Sequence, residues 1–325
     1  MDKYMKKIVV TGPTGAIGVA LIQLLIEKNI EVLAVVRKGS KRKANIPQSD
    51  MVQIVELNLD EIKDLPQLVK EKYDVFYHFG WDGTFGNSRN NMQEQLKNIQ
   101  YALDAVETAY EMGCKKFIGA GSQAEYGRVE GKLSADTPAF PENGYGVAKL
   151  CAGQMTRILC EQKGIEHIWT RILSVYGPYD GENTMVMSTI KKLLAGEKPS
   201  FTKCGQMWDY LYSKDAGKAM YLIGTKGVSG KTYCLGSGQV KPLLSYVEDI
   251  RDVIDPSAKL GIGEVPYASN QVMYLCADIE ELKRDVGFLP EYEFNEGVKE
   301  TFNWYQSKKE IFSANRDLRF YNYRY

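Results

Sequence analysis

The sequence predicts an α/β protein with a parallel, doubly wound sheet that carries helices on both faces, followed by a smaller C-terminal α/β region. Short apolar runs rich in Val and Ile alternate with helix-length segments through residues 7–173, as in repeated β-α-β units. A glycine-rich turn follows the first run at residues 12–18, and a Tyr-x-x-x-Lys pair follows a later run at residues 145–149. Both motifs are predicted beside the carboxyl ends of strands, where such sheets bind ligands.

The composition is that of an ordinary globular protein. Of the 325 residues, 44% are hydrophobic and 25% are charged. Lys and Arg together number 41, as do Asp and Glu, so we expect neither nucleic acid nor a membrane surface as a partner. The N-terminus is charged and leads into a strand, unlike a signal peptide, and no apolar run is long enough to cross a bilayer.

The cysteines and histidines argue against a disulfide framework and against a metal site. Six cysteines are scattered without a C-x-x-C pair, so we expect free thiols in a reducing compartment. The only histidines, His78 and His167, fall within predicted strands and are expected in the core, with no bound metal. These features predict a cytoplasmic protein.

The first β/α junction has the residues of a dinucleotide-binding turn. Residues 7–11 form a β-branched strand, and an apolar-periodic helix runs from about Ala16 to Lys28. Glycines between them allow the backbone to approach a pyrophosphate, which then lies at the helix N-terminus. The cofactor-binding residues predicted here are Thr11, Gly12, Thr14, Gly15, Ala16, Ile17 and Gly18.

The end of the second predicted strand, residues 30–36, bears on the choice of cofactor. Arg37, Lys38 and Ser40 follow it, at the position where NAD-binding proteins carry an acidic residue for the ribose. An acid would repel a 2′-phosphate, whereas a guanidinium and a hydroxyl would bind it. A solvated basic loop is the simpler alternative. The position favours NADP(H), with NAD(H) still possible.

Ser122, Tyr145 and Lys149 form a candidate proton-transfer site. Tyr145 and Lys149 are four residues apart on a predicted helix and therefore project from one face. A free phenol, with a pKa of about 10, is a weak acid at neutral pH, and a neighbouring ammonium lowers that pKa. Ser122 ends a predicted strand and would hold a substrate oxygen against the phenol.

Together these motifs resemble the short-chain dehydrogenase/reductase superfamily, in which Ser, Tyr and Lys are the catalytic triad. The T-G-x-x-G-x-x-G turn at residues 11–18 has the superfamily's form. R-x-x-x-V-Y-G-P at residues 171–178 and Ala-Asp at residues 277–278 resemble its extended branch of NAD(P)-dependent nucleotide-sugar epimerases, dehydratases and reductases. The resemblance covers residues 7 to about 308. It implies a Rossmann sheet, and catalytic roles for the three residues of the proton-transfer site.

The same resemblance places further residues against the cofactor. An Asn-Leu pair follows the third strand, where the family has Asp-Leu against the adenine. The exit of the fourth strand is similar to the family's H-L-A-A turn, and the V-Y-G-P loop borders the nicotinamide. The residues implied are Asn58, Leu59, Phe79, Gly80, Trp81, Ile172 and Val175, together with Tyr145 and Lys149.

The substrate implied is a nucleotide-diphosphate sugar, although the family's usual arginines for the diphosphate are missing. Trp208 replaces one, and residues 267–271 lack the other. A diphosphate in a pocket requires compensating charge, for which Lys191, Lys192 and Lys203 are candidates. The substrate-binding residues implied are Trp81, Ser122, Gln123, Ala124, Ser174, Asn183 and Trp208.

Two domains are predicted. Residues 1–175 form the cofactor domain, residues 176–325 form mainly the substrate domain, and residues 205–236 return to the first. Gln95 and Asn98 are expected to pack a helix over residues 92–112. Further helices are predicted at 145–162, 182–196 and 295–308, and long loops at 82–94 and 129–143. A homodimer is the family's usual assembly and is the default expectation.

The residues after Ser122 bear on the reaction. Family dehydratases place an Asp-Glu pair there, whereas this chain has Gln123 and Ala124, and Glu125 lies one residue later, pointing to the other side. We therefore expect hydride transfer at one carbon. The main prediction is an NADPH-dependent reductase of a nucleotide-linked 4-keto-6-deoxyhexose, with Tyr145 as the acid. The alternative is a nucleotide-sugar 4-epimerase with a retained NAD(P), and a non-catalytic NAD(P)-binding regulator is less expected.

Overall fold

The computed structural model describes the backbone of residues 5–321 and the side chains of residues 5–308. Its strands are β1 (Lys7–Thr11), β2 (Glu31–Val36), β3 (Val52–Glu56), β4 (Val75–His78), β5 (Lys116–Ser122), β6 (Glu166–Ile172), β7 (Ser174–Tyr176), β8 (Met207–Trp208), β9 (Tyr210–Tyr212), β10 (Thr232–Leu235) and β11 (Lys241–Pro242). Its α-helices are α1 (Ala16–Glu27), α2 (Leu65–Leu68), α3 (Met92–Glu111), α4 (Gly144–Lys163), α5 (Met185–Leu194), α6 (Ser213–Lys226), α7 (Leu243–Ile254), α8 (Glu280–Val286) and α9 (Phe294–Tyr321).

Seven of these strands form one sheet, in the order β10-β6-β5-β4-β1-β2-β3. Every neighbouring pair in it is parallel. The strand order reverses between β1 and β4, and open α/β sheets bind ligands in the crevice at such a reversal. The predicted doubly wound parallel sheet is confirmed, and the glycine turn after β1 borders this crevice.

Both faces of the inner strands are buried, which explains their continuous apolar runs, whereas the edge strand β3 is largely exposed. In β1, Ile8 and Val10 lie in a core shared with Leu21 of α1 and Ala216 of α6. Val9 faces the other way, into a second core that includes residues of α3. This alternation follows from the two-residue period of a strand and leaves only the strand ends free to carry a site.

The C-terminal part has an aromatic core of its own. Helices α5, α7 and α9 enclose Tyr176, Tyr246 and Phe294. The Phe294 ring centroid lies 4.6 Å from that of Tyr246 and 4.7 Å from that of Tyr176. By contrast, α6 packs against α1, and β10 pairs with β6 in the central sheet.

Some element bounds differ from the predicted ones. Helix α5 begins at Met185 and not near residue 182, because Thr184 Oγ1 donates a hydrogen bond to Asp180 Oδ2 at 2.9 Å in the preceding turn. The loop before α3 contains a 3₁₀ turn, Gly86–Asn90. Helix α9 continues to Tyr321, and residues 322–325 of the aromatic and basic tail lie outside the described residues. Over the described residues, no helix combines the length and apolar character that a membrane span requires.

Candidate active site

The glycine turn after β1 is too tightly packed for other residues at two positions. Gly12 has a φ of +64°, and a Cβ there would lie 2.7 Å from the backbone nitrogen of Gly80. A Cβ on Gly18 would lie 2.5 Å from the carbonyl oxygen of Pro13. At Gly15, which precedes α1, a Cβ would meet nothing closer than the Arg42 guanidinium at 3.9 Å. No side chain caps the helix. Its first N–H groups therefore suit a pyrophosphate.

Thr11 joins the end of β1 to the exit of β4. Its Oγ1 lies 3.0 Å from His78 Nδ1 and accepts a hydrogen bond from the Gly80 N–H at 3.2 Å. Burial lowers the pKa of His78 to about 3, so the imidazole is neutral. These bonds fix the backbone of residues 79–81 beside the glycine turn.

The five basic side chains at residues 37–43, after β2, differ in their partners. Lys38 pairs with Glu61 at 2.5 Å, and Lys43 pairs with Glu56. Arg37 is exposed and, among the described side chains, has no carboxylate within ion-pair distance. The Lys38 N–H donates to Asn58 Oδ1 at 3.3 Å, so the predicted adenine-binding and 2′-phosphate-binding segments are adjacent. Arg37 and Lys41 are thus the cations of this loop that have neither a carboxylate partner nor a hydrogen bond among the described side chains.

Arg42 is a candidate residue that the sequence reasoning did not single out. Its guanidinium donates to the carbonyl oxygen of Thr14 at 3.2 Å and to that of Tyr179 at 2.7 Å. Asn45 also donates to the Thr14 carbonyl, at 3.0 Å. The 3₁₀ turn at residues 41–45 directs Arg42 back at the glycine turn. The only sequence signal for this residue was its place in the basic run at residues 37–43.

The structure brings Ser122, Tyr145 and Lys149 together. Ser122 ends β5, and Tyr145 and Lys149 lie in the first two turns of α4, which Asn143 caps by accepting from the Gly146 N–H at 2.9 Å. Burial raises the pKa of Tyr145, and a hydrogen bond with Ser122 opposes that shift. The hydroxyl and the phenol are therefore placed to bind one substrate oxygen.

Lys149 is deeply buried and is directed away from the phenol. Its Nζ donates to the carbonyl oxygen of Ala120 at 2.6 Å and lies 3.7 Å from the centroid of the Trp81 ring. The corresponding distance to the Tyr145 ring is 5.8 Å. Burial lowers the pKa of Lys149 to about 7, against the opposing charge of Glu125. The Lys149 side chain is therefore partly deprotonated near pH 7.

Trp81 forms one wall of the site and is fixed by α3. Its Nε1 donates to Gln95 Oε1 at 2.9 Å, and its ring meets the Tyr145 ring edge-on at 6.1 Å between centroids. Asn98 accepts from the Asp82 N–H and donates to the Asp82 carbonyl, both at 2.9 Å. Gln95 and Asn98 therefore hold the exit of β4 in place, which goes beyond the helix packing expected of them.

Glu125 belongs to a buried ionic network behind the site. Its side chain is fully buried and pairs with Arg171 at 2.8 Å. Its other oxygen accepts from Trp169 Nε1 at 3.0 Å and from the Ser122 N–H at 2.8 Å. These bonds hold the carboxylate among Arg171, Trp169 and the Ser122 backbone, so Glu125 helps to fix the position of Ser122. Ala124 is buried as well.

The predicted substrate-binding residues lie in two groups. Trp81, Ser122 and Gln123 lie near the phenol, at the ends of β4 and β5. Trp208 Nε1 donates to Ser174 Oγ at 2.8 Å, on the side of the aromatic core, and Asn183 is exposed before α5. Ile172 and Val175 lie between the groups, at the end of β6 and in β7.

The candidate cations for a diphosphate are not equivalent. Lys191 pairs with Glu182 at 2.7 Å. Lys192 and Lys203 have no carboxylate within ion-pair distance among the residues whose side chains are described. The described residues also contain no cluster of three or more His, Cys, Asp or Glu side chains suited to a metal ion.

The sheet, the glycine turn and the Ser-Tyr-Lys group define the class of protein: an α/β enzyme with a dinucleotide-binding turn. The model of the NAD dependent epimerase/dehydratase family matches residues 8–236. The chain belongs to this family.

Individual relatives are more distant. The chain is 24% identical over 340 residues to dTDP-glucose 4,6-dehydratase 1 of Escherichia coli (strain K12), covering 93% of each chain. Among solved structures, it is similar to a UDP-N-acetylglucosamine 4-epimerase from Methanobrevibacter ruminantium M1 in complex with UDP-N-acetylmuramic acid, with a TM-score of 0.85, 22% identity and coverage of 94% of this chain and 99% of that one.

A UDP-glucuronic acid 4-epimerase from Bacillus cereus, in complex with UDP-glucuronic acid and NAD, has a TM-score of 0.80 and 21% identity, with 93% of this chain and 99% of that one covered. At such identities the solved structures establish the shared fold. The reaction of this chain has to be argued from its own residues.

Proposed function

We propose that the protein is an NADPH-dependent reductase that transfers hydride to C4 of a nucleotide-linked 4-keto-6-deoxyhexose. The observation that carries this proposal is the absence of an acid pair after Ser122. Gln123 exchanges no proton, Ala124 is a buried methyl group, and Glu125 is bound to Arg171. A 4,6-dehydratase needs acids at these positions, so the proton chemistry available is that of a single carbinol/carbonyl pair.

The proposed roles of the triad follow from its geometry. A bound nicotinamide would supply the hydride. Tyr145 donates the proton to the carbonyl oxygen, and Ser122 orients that oxygen by a hydrogen bond. Lys149 lies one helical turn away and is placed for the nicotinamide ribose. The edge of Trp81 beside Tyr145 excludes water from this part of the site.

The proposed preference for NADP(H) is supported by the charges after β2. Arg37 lacks a carboxylate partner among the described side chains, and no carboxylate directly follows β2 in the sequence. Arg42 adds a second guanidinium beside the glycine turn. Arg37, with Lys38 and Ser40, would bind the 2′-phosphate by charge-assisted hydrogen bonds. The structure of the Bacillus cereus 4-epimerase contains NAD, and the affinities of this chain for NADPH and NADH distinguish the two cofactors.

A 4-epimerase with retained NAD(P) is the second candidate. It also needs hydride transfer at one carbon and no acid pair, and the fold is shared with two UDP-sugar 4-epimerases. A regulator that only binds the cofactor is disfavoured, because Ser122, Tyr145 and Lys149 are all present and adjacent.

The proposed nucleotide-sugar site lies between the sheet and the aromatic core. Lys192 and Lys203 would supply charge to the diphosphate in place of the missing arginines. Trp208, held by Ser174, offers a ring for stacking against the base or the sugar. We propose that residues 1–175 and 205–236 form the cofactor domain and that the remainder of 176–325 forms mainly the substrate domain.

We further propose a homodimer formed by α3 and α4. Both helices expose apolar side chains spaced by three, four or eight residues, which places them on one side of each helix, as expected of a face that packs against a partner. These side chains are Met92, Leu96, Val147, Met155 and Ile158. The six cysteines are free, five of them buried, which supports a reducing compartment such as the cytoplasm.

The reaction is tested by incubating the protein with several nucleotide-linked 4-keto-6-deoxyhexoses and NADPH, followed by absorbance and product mass. A gain of two hydrogens matched by stoichiometric NADPH loss supports the reductase. Tyr145→Phe is the matched control and should lower kcat by about 10²–10⁴ while cofactor binding persists. Interconversion of 4-epimeric sugars without net cofactor loss would establish the epimerase.

A further inference from the structure

Arg89 lies against the ring of Tyr145. It belongs to the 3₁₀ turn Gly86–Asn90, and its guanidinium carbon is 4.7 Å from the centroid of the phenol ring. Its Nε is buried and has no hydrogen-bond partner. Among the described side chains, no carboxylate lies within ion-pair distance of it. Arg89 therefore presents an uncompensated positive charge to this ring.

The turn that carries Arg89 is tied to both helices beside the site. Asn90 Oδ1 accepts a hydrogen bond from the Gly144 N–H at the start of α4, at 3.0 Å. Gln95 of α3 donates to the carbonyl oxygen of Ser88, also at 3.0 Å. These bonds fix the backbone on either side of Arg89, so its position against Tyr145 is built into the fold.

Lys149 is poorly placed to act on the phenol alone. Its Nζ is 5.8 Å from the Tyr145 centroid, is bonded to the Ala120 carbonyl and lies over Trp81. Its charge is also reduced near neutral pH, because burial lowers its pKa to about 7. A second cation close to the ring would therefore contribute to stabilising the Tyr145 phenolate.

We propose that Arg89 is a positioning residue for Tyr145, stabilising its phenolate and holding the ring in register with Ser122. The inference rests on the proposed role of Tyr145 as the proton donor. Ionisation of a phenol increases the negative charge on the ring, so a guanidinium over the ring face binds the ionised form more strongly.

Three charged groups act on Tyr145 from the elements around it. Arg89 on the 3₁₀ turn and Lys149 on α4 are cations, and Glu125, in the 3₁₀ turn after β5, is the opposing anion. Burial raises the pKa of Tyr145, whereas the Ser122 hydrogen bond and the Arg89 charge lower it. Since Arg171 already compensates Glu125, Arg89 is the charge whose removal should change the phenol most.

The test is a titration of Tyr145 that needs no substrate. A polyfluorinated tyrosine, whose phenol is a stronger acid, is incorporated at position 145, and its ¹⁹F shift is followed against pH in the full chain. Arg89→Met should raise the midpoint by about one pH unit, and Arg89→Lys should restore part of the difference. Arg157→Met, which removes a half-buried arginine from α4, the helix of Tyr145, should leave the midpoint unchanged.

Equal midpoints in the native and Arg89→Met chains would overturn the inference, as would a native phenol that does not titrate. Thermal unfolding of each variant shows whether it is folded. Because the titration involves no turnover, it can succeed even if the protein reduces no 4-keto sugar. Once a substrate is known, Arg89→Met should shift the pH profile of kcat by the same amount and change KM little.

Discussion

The loop after β2 has two interpretations, a 2′-phosphate site and a solvated basic loop. A substitution of Arg37 distinguishes them. If the first is right, Arg37→Asp should weaken NADPH binding and spare or improve NADH binding. Losing one charge-assisted contact is worth about 1.5–3 kcal/mol, which is about ten- to a hundredfold in affinity. Calorimetric titration of both cofactors measures this. Lys259→Asp, at an exposed lysine outside this loop, is the control. An unchanged NADPH affinity in Arg37→Asp would refute the assignment.

Lys149 should affect how the free energy of unfolding depends on pH. Its folded-state pKa of about 7 lies below the ordinary value of 10.5. At pH values between these two pKa values, the unfolded chain therefore binds a proton that the folded chain lacks. The free energy of unfolding therefore rises with pH across that window, by up to about 1.4 kcal/mol per pH unit. Lys149→Met removes this contribution.

Urea unfolding at pH 7 and pH 9 compares the two chains. The native chain should gain stability relative to Lys149→Met on going to pH 9, by about 2 kcal/mol at most. Lys259→Met, at an exposed lysine, should follow the native chain. If native and Lys149→Met change in parallel, Lys149 is not an ammonium held at a cost in the folded protein.

Gly12, in the turn after β1, can be compared with Gly39, in the loop after β2, because both have a positive φ. Gly12 and Gly39 have φ values of +64° and +68°, but only Gly12 is crowded, since a Cβ on Gly39 would meet nothing within 4 Å. Gly39→Ala should cost about 1–2 kcal/mol for the left-handed conformation alone. Gly12→Ala should cost more and should also weaken cofactor binding. Equal losses of stability would show that the close contact with Gly80 adds nothing to the cost of Gly12→Ala.

The exposed faces of α3 and α4 test the proposed dimer. Val147 is 52% exposed and Leu96 58% exposed, and a carboxylate at either position would be buried without a partner in a helical interface. Val147→Glu and Leu96→Glu should therefore shift the protein to monomers in analytical ultracentrifugation. Val228→Glu, at a similarly exposed site in a loop, should not. A monomeric native chain would contradict the proposal.

The elements that the sequence predicted well are those governed by local chemistry. The β-branched runs became the sheet strands, and the spacing of Tyr145 and Lys149 placed both on one helix. Glu125 does pair with Arg171, but residues 123–125 form a 3₁₀ turn, so the strand period that predicted its direction does not apply there. What the sequence could not provide was the partner of each long side chain in a loop.

Arg42 and Arg89 show why the partners of long side chains in loops could not be predicted from the sequence. Each belongs to a 3₁₀ turn whose orientation depends on contacts with distant parts of the chain, Tyr179 for Arg42 and Gly144 for the turn of Arg89. The direction of the Lys149 ammonium likewise depends on Trp81 and Ala120. Spacing alone predicted which residues meet, but tertiary contacts decide how far each charge lies from the phenol.

At the scale of the whole molecule, we propose that the sheet and the aromatic core serve one reaction, in which hydride and proton are exchanged at a single carbon of a nucleotide sugar. The decisive measurement uses NADPH carrying deuterium at the transferred position with a nucleotide-linked 4-keto-6-deoxyhexose. The reductase predicts a product with one deuterium at C4 and one NADP⁺ formed per product. Loss of water from a 4-hydroxy sugar, or epimers formed without deuterium or net NADPH consumption, would contradict it.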